Sequence, residues 1–162
     1  MRLYPSQNDP FTIIYDSWKK HSRQLVEISP DDARKAATEI DAKVLSNRKP
    51  PYPLAGGLFD AMEDACGDMF KVTNKDLRFW KNKFAELEGI DIHDAPAVAV
   101  ASLAEAVRTG VVRKDETIML NITGGGEELA KSQQEIFYAE PHLILDPALP
   151  TEEVISSVKA LF

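Results

Sequence analysis

Cysteine is nearly absent: Cys66 stands alone, so no internal disulfide can form and a reducing compartment is expected. Histidine is scarce as well. His21, His93 and His142 are widely separated, no HExxH or CxxC spacing occurs, and no metal site is expected. No GxSxG elbow is present to hold a serine nucleophile. Cys66, between Ala65 and Gly67, has no neighbour that would activate a thiol and reads as a small packing residue. Positive charge is in deficit: 19 Lys and Arg against 26 Asp and Glu leave a net −7. With no basic cluster to neutralise a phosphate backbone, no nucleic-acid partner is expected. Nothing approaches the run of about 18 apolar residues that spans a bilayer, and the opening MRLYPSQNDPF lacks a signal-peptide core. A soluble, cytoplasmic chain without membrane contact is the expectation. There is no internal repeat and no low-complexity segment.

What is present suffices for one core: 162 residues, 44% of them hydrophobic, are expected to form one compact domain over 1–162, with a subdivision left open at loop 48–57. Leu3-Tyr4 reads as a short strand, and a chain that begins inside a strand is expected to be truncated. Pro10 is set to start a helix at Phe11 carrying Ile13, Ile14, Tyr15 and Trp18 at helical spacing. Ser29-Pro30-Asp31-Asp32 supplies an N-cap, a first-position proline and first-turn acids for a helix to about Asn47. Arg48–Gly57, with three prolines and two glycines, can be only a shaped loop.

Beyond that loop the pattern predicts a short helix over Gly57–Ala65 and a strand over Met69–Val72. Thr73-Asn74 should cap a helix ending near Gly89, and Ala95–Val107, almost uncharged, should be a buried helix. The mostly apolar Thr117–Ile122 (TIMLNI) reads as an interior strand feeding Thr123-Gly124-Gly125-Gly126 and a helix. Ile136–Tyr138 and Leu143–Leu145 are further strand candidates, and Glu152–Leu161 closes as a helix opened by Pro150-Thr151. Strands alternating with helices imply an α/β fold, three-layered, with a mainly parallel sheet flanked by helices.

In open α/β sheets ligands collect at the carboxyl ends of strands, where glycine lets backbone approach them. Asn121–Gly126 is therefore the leading site on position, although a turn that merely connects strand to helix explains the glycines too. It is no nucleotide-phosphate loop, because the Lys and Ser/Thr that should follow the glycines are replaced by Glu127 and Glu128. Two carboxylates at a helix start repel an incoming phosphate, so the loop should face something else. Glu88–Asp94 offers carboxylates and the His93 imidazole, for which capping or hydrogen bonding is the plainer role. Trp18, Phe79 and Trp80 are expected in the core or at an interface.

Three stretches in order, NDPFTIIYDSWKK (8–20), EGIDIHDAPAVAVASL (88–103) and TIMLNITGGG (117–126), together with PPYPLAGG (50–57), resemble the C-terminal part of the cysteate synthases. These are relatives of threonine synthase within the tryptophan synthase β-like fold, type II of the pyridoxal-phosphate enzymes. The resemblance implies that 1–162 is the C-terminal portion of the cofactor-binding α/β domain. It also implies, for the complete enzyme, pyridoxal 5'-phosphate as cofactor and a small-molecule substrate. That reaction replaces the phosphate of O-phosphoserine with sulfite, giving cysteate and phosphate on an archaeal route to coenzyme M. By position, Thr123 resembles the TGxG threonine whose hydroxyl meets the cofactor's pyridine nitrogen, with Gly124 and Gly125 shaping that edge of the pocket. Glu88 and Gly89 resemble a Glu-Gly pair lining the cofactor, and Tyr52 falls in the loop equivalent to a substrate-side segment. Relatives continue Glu-Pro-Ala-Ser where this chain has His93-Asp94-Ala95-Pro96, so the resemblance gives His93 no role.

The lysine that carries the cofactor, in a Ser-Phe-Lys-Asp-like segment, and the glycine loop for the cofactor phosphate have no counterpart in the sequence. No catalytic residue is assigned, and no turnover is expected from the chain alone. The missing N-terminal half of the enzyme, or self-association into an oligomer, is the expected partner. A threonine synthase fragment and a non-catalytic ligand- or protein-binding module are the alternatives.

Overall fold

The computed structural model describes residues Met1–Phe162, which divide into two compact units, Met1–Leu129 and Ala130–Phe162. The first unit is an α/β arrangement built on two short parallel strands, β1 (Ser6–Asn8) and β2 (Phe70–Val72), in the register Ser6–Phe70, Gln7–Lys71, Asn8–Val72. Around them lie α1 (Ile13–Lys19), α2 (Pro30–Glu39), a 3-10 turn at Lys43–Leu45, α3 (Leu58–Asp64), α4 (Asn74–Glu88) and α5 (Asp94–Arg108). A three-layer, mainly parallel sheet is not formed within this chain: the sheet has two strands.

β1 is displaced from the expected Leu3-Tyr4, and its own residues explain the shift. Ser-Gln-Asn carries no apolar alternation, yet each of the last two side chains bonds to backbone. Gln7 Oε1 accepts the N–H groups of Ile14 and Tyr15 at 2.8 and 2.9 Å, capping α1 from outside. Thr12, the residue before α1, instead gives its hydroxyl to Asp16 at 2.8 Å. The helix accordingly starts at Ile13 and not at Phe11. Asn8, fully buried, gives Nδ2 to the Val72 carbonyl and to Asn74 Oδ1, each at 3.0 Å, and accepts the Ala42 N–H at 2.9 Å. One amide thus joins both strands, the start of α4 and the turn after α2.

The helices follow their caps. Ser29 accepts the Asp32 N–H at 3.1 Å to open α2, and Thr73 does the same for Asp76 at 3.2 Å to open α4. Gly89, at φ +71°, closes α4 in the left-handed conformation. The helix expected to reach Asn47 stops at Glu39, because Ile40 turns extended and buries completely. α5 is as buried as its composition demands, with Ala97, Val98 and Ala101 packed on Val72, Leu77 and Ile92. Phe11, Ile13, Ala33, Ala36 and Ile40 form a second cluster, and Trp18 with Met62 and Met69 a third. Trp80 packs on the main cluster, whereas Phe79 is 58% exposed. Cys66 is no packing residue: it sits exposed at φ +46° in the turn after α3.

Thr117–Ile122 forms no strand. An interior strand needs ladder partners on both edges. Here only Leu120 packs on the core, and Met119 stands 85% exposed. The two later strand candidates, Ile136–Tyr138 and Leu143–Leu145, are likewise without regular structure. α6 (Glu127–Gln133) begins in the first unit; the second contains α7 (Thr151–Lys159) and no buried residue. No helix is long and apolar enough to cross a membrane.

Candidate functional site

The glycine turn lies edge-on against the segment that starts α5. Ile92 and Gly125 make an isolated antiparallel bridge. The His93 N–H donates to the Gly124 carbonyl at 3.1 Å, and the Gly126 N–H to the Asp91 carbonyl at 2.8 Å. Gly125 has φ +150°, and an added Cβ would stand 2.3 Å from the Asp91 carbonyl oxygen and 2.6 Å from Ile92 Cα. Backbone must meet backbone there, so only glycine serves. At Gly124 the obstacle is a side chain, with a Cβ falling 2.7 Å from His93 Nδ1. The connecting-turn role of the triplet is therefore real, and it leaves Thr123 beside the first turn of α5.

Two side chains fasten the turn from the other direction. Asp91 accepts the N–H groups of Glu128 and Leu129, each at 3.2 Å, satisfying two of the donors left open at the start of α6. Desolvation pushes the Asp91 carboxyl up, but the backbone N–H groups outweigh it and hold the group below the ordinary carboxylate range. A depressed folded-state pKa stabilises above the unfolded value, near about 4, and is lost as pH falls through the folded value. Protection of the Glu128 and Leu129 amides, taken relative to their intrinsic exchange rates, should therefore fall selectively on acidification below about pH 4. Unchanged protection at those amides across that window would contradict the Asp91 contact. The second fastening is His93, whose Nε2 lies 2.9 Å from Glu127 Oε1.

Thr123 lines an open cleft of about 410 Å³ with His93, Asp94, Ala95 and Pro96 on one side and Asp41–Val44 on the other. Its charged groups are already engaged. Asp41 takes both arms of Arg78, at 2.6 and 2.8 Å, and Asp94 takes Lys81 at 2.7 Å. Lys43 Nζ donates to the Ala37 and Thr38 carbonyls at 3.2 and 2.7 Å, closing the end of α2.

The remaining sequence-derived positions are not gathered here. Glu88 and Gly89 are exposed at the end of α4 and do not line the cleft. Tyr52 is fully buried, packs edge-on to Phe59 and donates its hydroxyl to the Ser22 carbonyl at 2.9 Å. Asp41, Lys43 and Pro96 belong to the cleft without having been singled out. Asp41 and Lys43 were hidden inside a helix expected to run on to Asn47, and the break at Ile40 brings them to the rim of the cleft.

No family model matches the sequence. Curated relatives do. The cysteate synthase of Methanosarcina acetivorans is 43% identical over 155 residues, 94% of this chain and 37% of that enzyme. That of Methanocella arvoryzae is 38% identical over 159 residues, 97% and 38% of the respective chains. The chain is homologous to part of the cysteate synthases. A third such enzyme, from Methanospirillum hungatei, is 36% identical over 158 residues, 98% of this chain against 37% of its own. The chain spans little more than a third of the length of the cysteate synthases it matches.

Cysteate synthase likeness implies pyridoxal phosphate, and the cleft allows a test of fit. Thr123, a neutral hydroxyl-bearing residue, shares the lining with apolar Val44, Ala95 and Pro96, a set whose chemistry suits the ring-nitrogen end of that cofactor. The phosphate end does not fit: the lining carries Asp41 and Asp94, and its lysine is bonded to helix carbonyls. The residues present match one end of the group.

Proposed function

We propose that this chain supplies the ring-nitrogen wall of a pyridoxal-phosphate site in a β-replacement enzyme of the cysteate synthase kind. In the tryptophan synthase β-like fold that this reading assigns, the chain forms the C-terminal portion of the cofactor domain and does not turn over by itself. The reaction of the complete enzyme exchanges the phosphate of O-phosphoserine for sulfite, releasing cysteate and inorganic phosphate. Bound cofactor supplies the electron sink that labilises the β-substituent.

One observation carries the reading: a turn that only glycine can make sets Thr123 on the wall of the cleft at the start of α5. The Thr123 hydroxyl is a neutral partner for the pyridine nitrogen. It leaves that nitrogen without a full positive charge and limits electron withdrawal into the ring, which suits elimination and replacement at the β carbon over other fates. Asp41 and Asp94 are paired with Arg78 and Lys81, and Lys43 is bonded to helix carbonyls, so the cleft offers no free cation to a phosphate and the cofactor phosphate would lie toward residues outside it. A single neutral hydrogen bond contributes about 0.5–1.5 kcal/mol, too little to retain cofactor without covalent attachment and a phosphate cradle. The remaining part of the enzyme is the partner that supplies both.

The test is a chimera in which this chain replaces the segment it matches in the Methanosarcina acetivorans enzyme. Thr123→Val, nearly isosteric, should raise the dissociation constant for pyridoxal phosphate by about tenfold, the equivalent of one such bond. Equal affinity of the two chimeras, measured by equilibrium dialysis, would remove Thr123 from the site.

A further inference from the structure

His93 stands at the start of α5, yet its side chain makes no cap bond to that helix. The ring is turned the other way, onto the glycine turn. Its Nδ1 occupies the space that a Cβ on Gly124 would need, at 2.7 Å, and its Nε2 meets Glu127 Oε1 at 2.9 Å. A carboxylate only accepts, so Nε2 is the donor. The His93 N–H holds the Gly124 carbonyl as well. Backbone and ring of one residue thus grip the turn on both sides of Gly124, directly after Thr123. An exposed pair of this kind contributes little to overall stability, with the His93 and Glu127 side chains 52% and 62% exposed. Its effect is local: the ring fills the space beside Gly124, and Glu127 fixes the ring's orientation.

We propose that His93 is a positioning residue for Thr123, its imidazole held by Glu127 so that the turn presents the Thr123 hydroxyl at one place in the cleft. The proposal rests on the reading of Thr123 as the ring-nitrogen partner. His93 also lines the cleft, but the role proposed for it runs through Gly124 and not through a bond to the cofactor.

Two measurements test it. The first uses the 162-residue chain without cofactor. In His93→Ala, amide exchange at Gly126 should quicken by about tenfold, while Ala101 in the middle of α5 stays unchanged; His93→Gln, which restores a donor at the place of Nε2, should recover most of the protection. Exchange at Gly126 that is indifferent to His93→Ala overturns the clamp, as does equal loosening of Ala101, which would mark general destabilisation. The second measurement uses the chimera and a double-substitution cycle read as cofactor dissociation constants. His93→Ala should weaken binding by about fivefold with Thr123 present and by less than about twofold with Thr123→Val already in place. Additive effects overturn the positioning role. If Thr123→Val alone changes nothing, the reading of Thr123 fails and the positioning role fails with it, whereas the exchange measurement still reports whether the clamp exists.

Discussion

Gly125→Ala is expected to destabilise the first unit by roughly 3 kcal/mol or more, the sum of a forbidden backbone conformation and an overlap that nothing can relieve. The overlapping atoms are the Asp91 carbonyl oxygen and Ile92 Cα, both backbone, and both fixed by the bridge and by the Gly126–Asp91 bond. Gly89→Ala is the matched control. Gly89 also has positive φ, at +71°, but a Cβ there would meet nothing within 4 Å, so it should cost only about 1–2 kcal/mol. Urea unfolding followed by the fluorescence of Trp18 and Trp80, both in the first unit, separates the two. Equal costs would mean that the turn does not press on the Asp91–His93 segment.

Asn8→Ala should cost about 2–4 kcal/mol, because it strips partners from several groups at once. The Ala42 N–H, in a residue only 1% exposed, would be left buried and unpaired. Val72 would lose a donor to its carbonyl, and Asn74 would keep only its bonds to the Asp41 N–H and the Glu39 carbonyl. Asn8→Asp should be no milder despite its matching shape. It replaces the donor by an acceptor facing the Val72 carbonyl and Asn74 Oδ1, both acceptors. Retention of wild-type stability by Asn8→Asp would show that Asn8 is not the junction described.

The contrast between these two positions explains what the sequence made legible. Helices announced by a cap and a periodic face, α2 from Ser29-Pro30 and α4 from Thr73 to Gly89, come out at their expected starts, and the nearly uncharged run of α5 is buried. Their signals are local, so a single segment suffices to read them. β1 escaped because Ser-Gln-Asn has no strand pattern: its residues are chosen for what their amides bond to, Gln7 at 7 and 8 residues away and Asn8 at 34 to 66. Thr117–Ile122 fails for the opposite reason. Its apolar run is the pattern of a strand buried on both faces, and a ladder depends on partners that periodicity cannot supply. The α/β class was thus readable, and the extent of the sheet was not.

The site divides the same way. Glycines at 124 and 125 were visible as a turn that could approach a ligand, while the reason for them, a His93 ring and an Asp91 carbonyl in the way of any Cβ, needs three dimensions. Thr123 takes its proposed role from the likeness to the cysteate synthases, and the structure sets it on the cleft. Glu88, Gly89 and Tyr52 took theirs from the likeness alone, and none of them lines the cleft. Lys43 and Asp41 lie in the cleft through the break at Ile40, which no local signal announces.

The most direct measurement is turnover by the chimera that carries this chain within the Methanosarcina acetivorans enzyme, supplied with O-phosphoserine and sulfite. The account predicts cysteate and inorganic phosphate in equal amounts, with no threonine formed from phosphohomoserine and water. A folded, cofactor-loaded chimera that makes no cysteate, or that prefers phosphohomoserine, would contradict it.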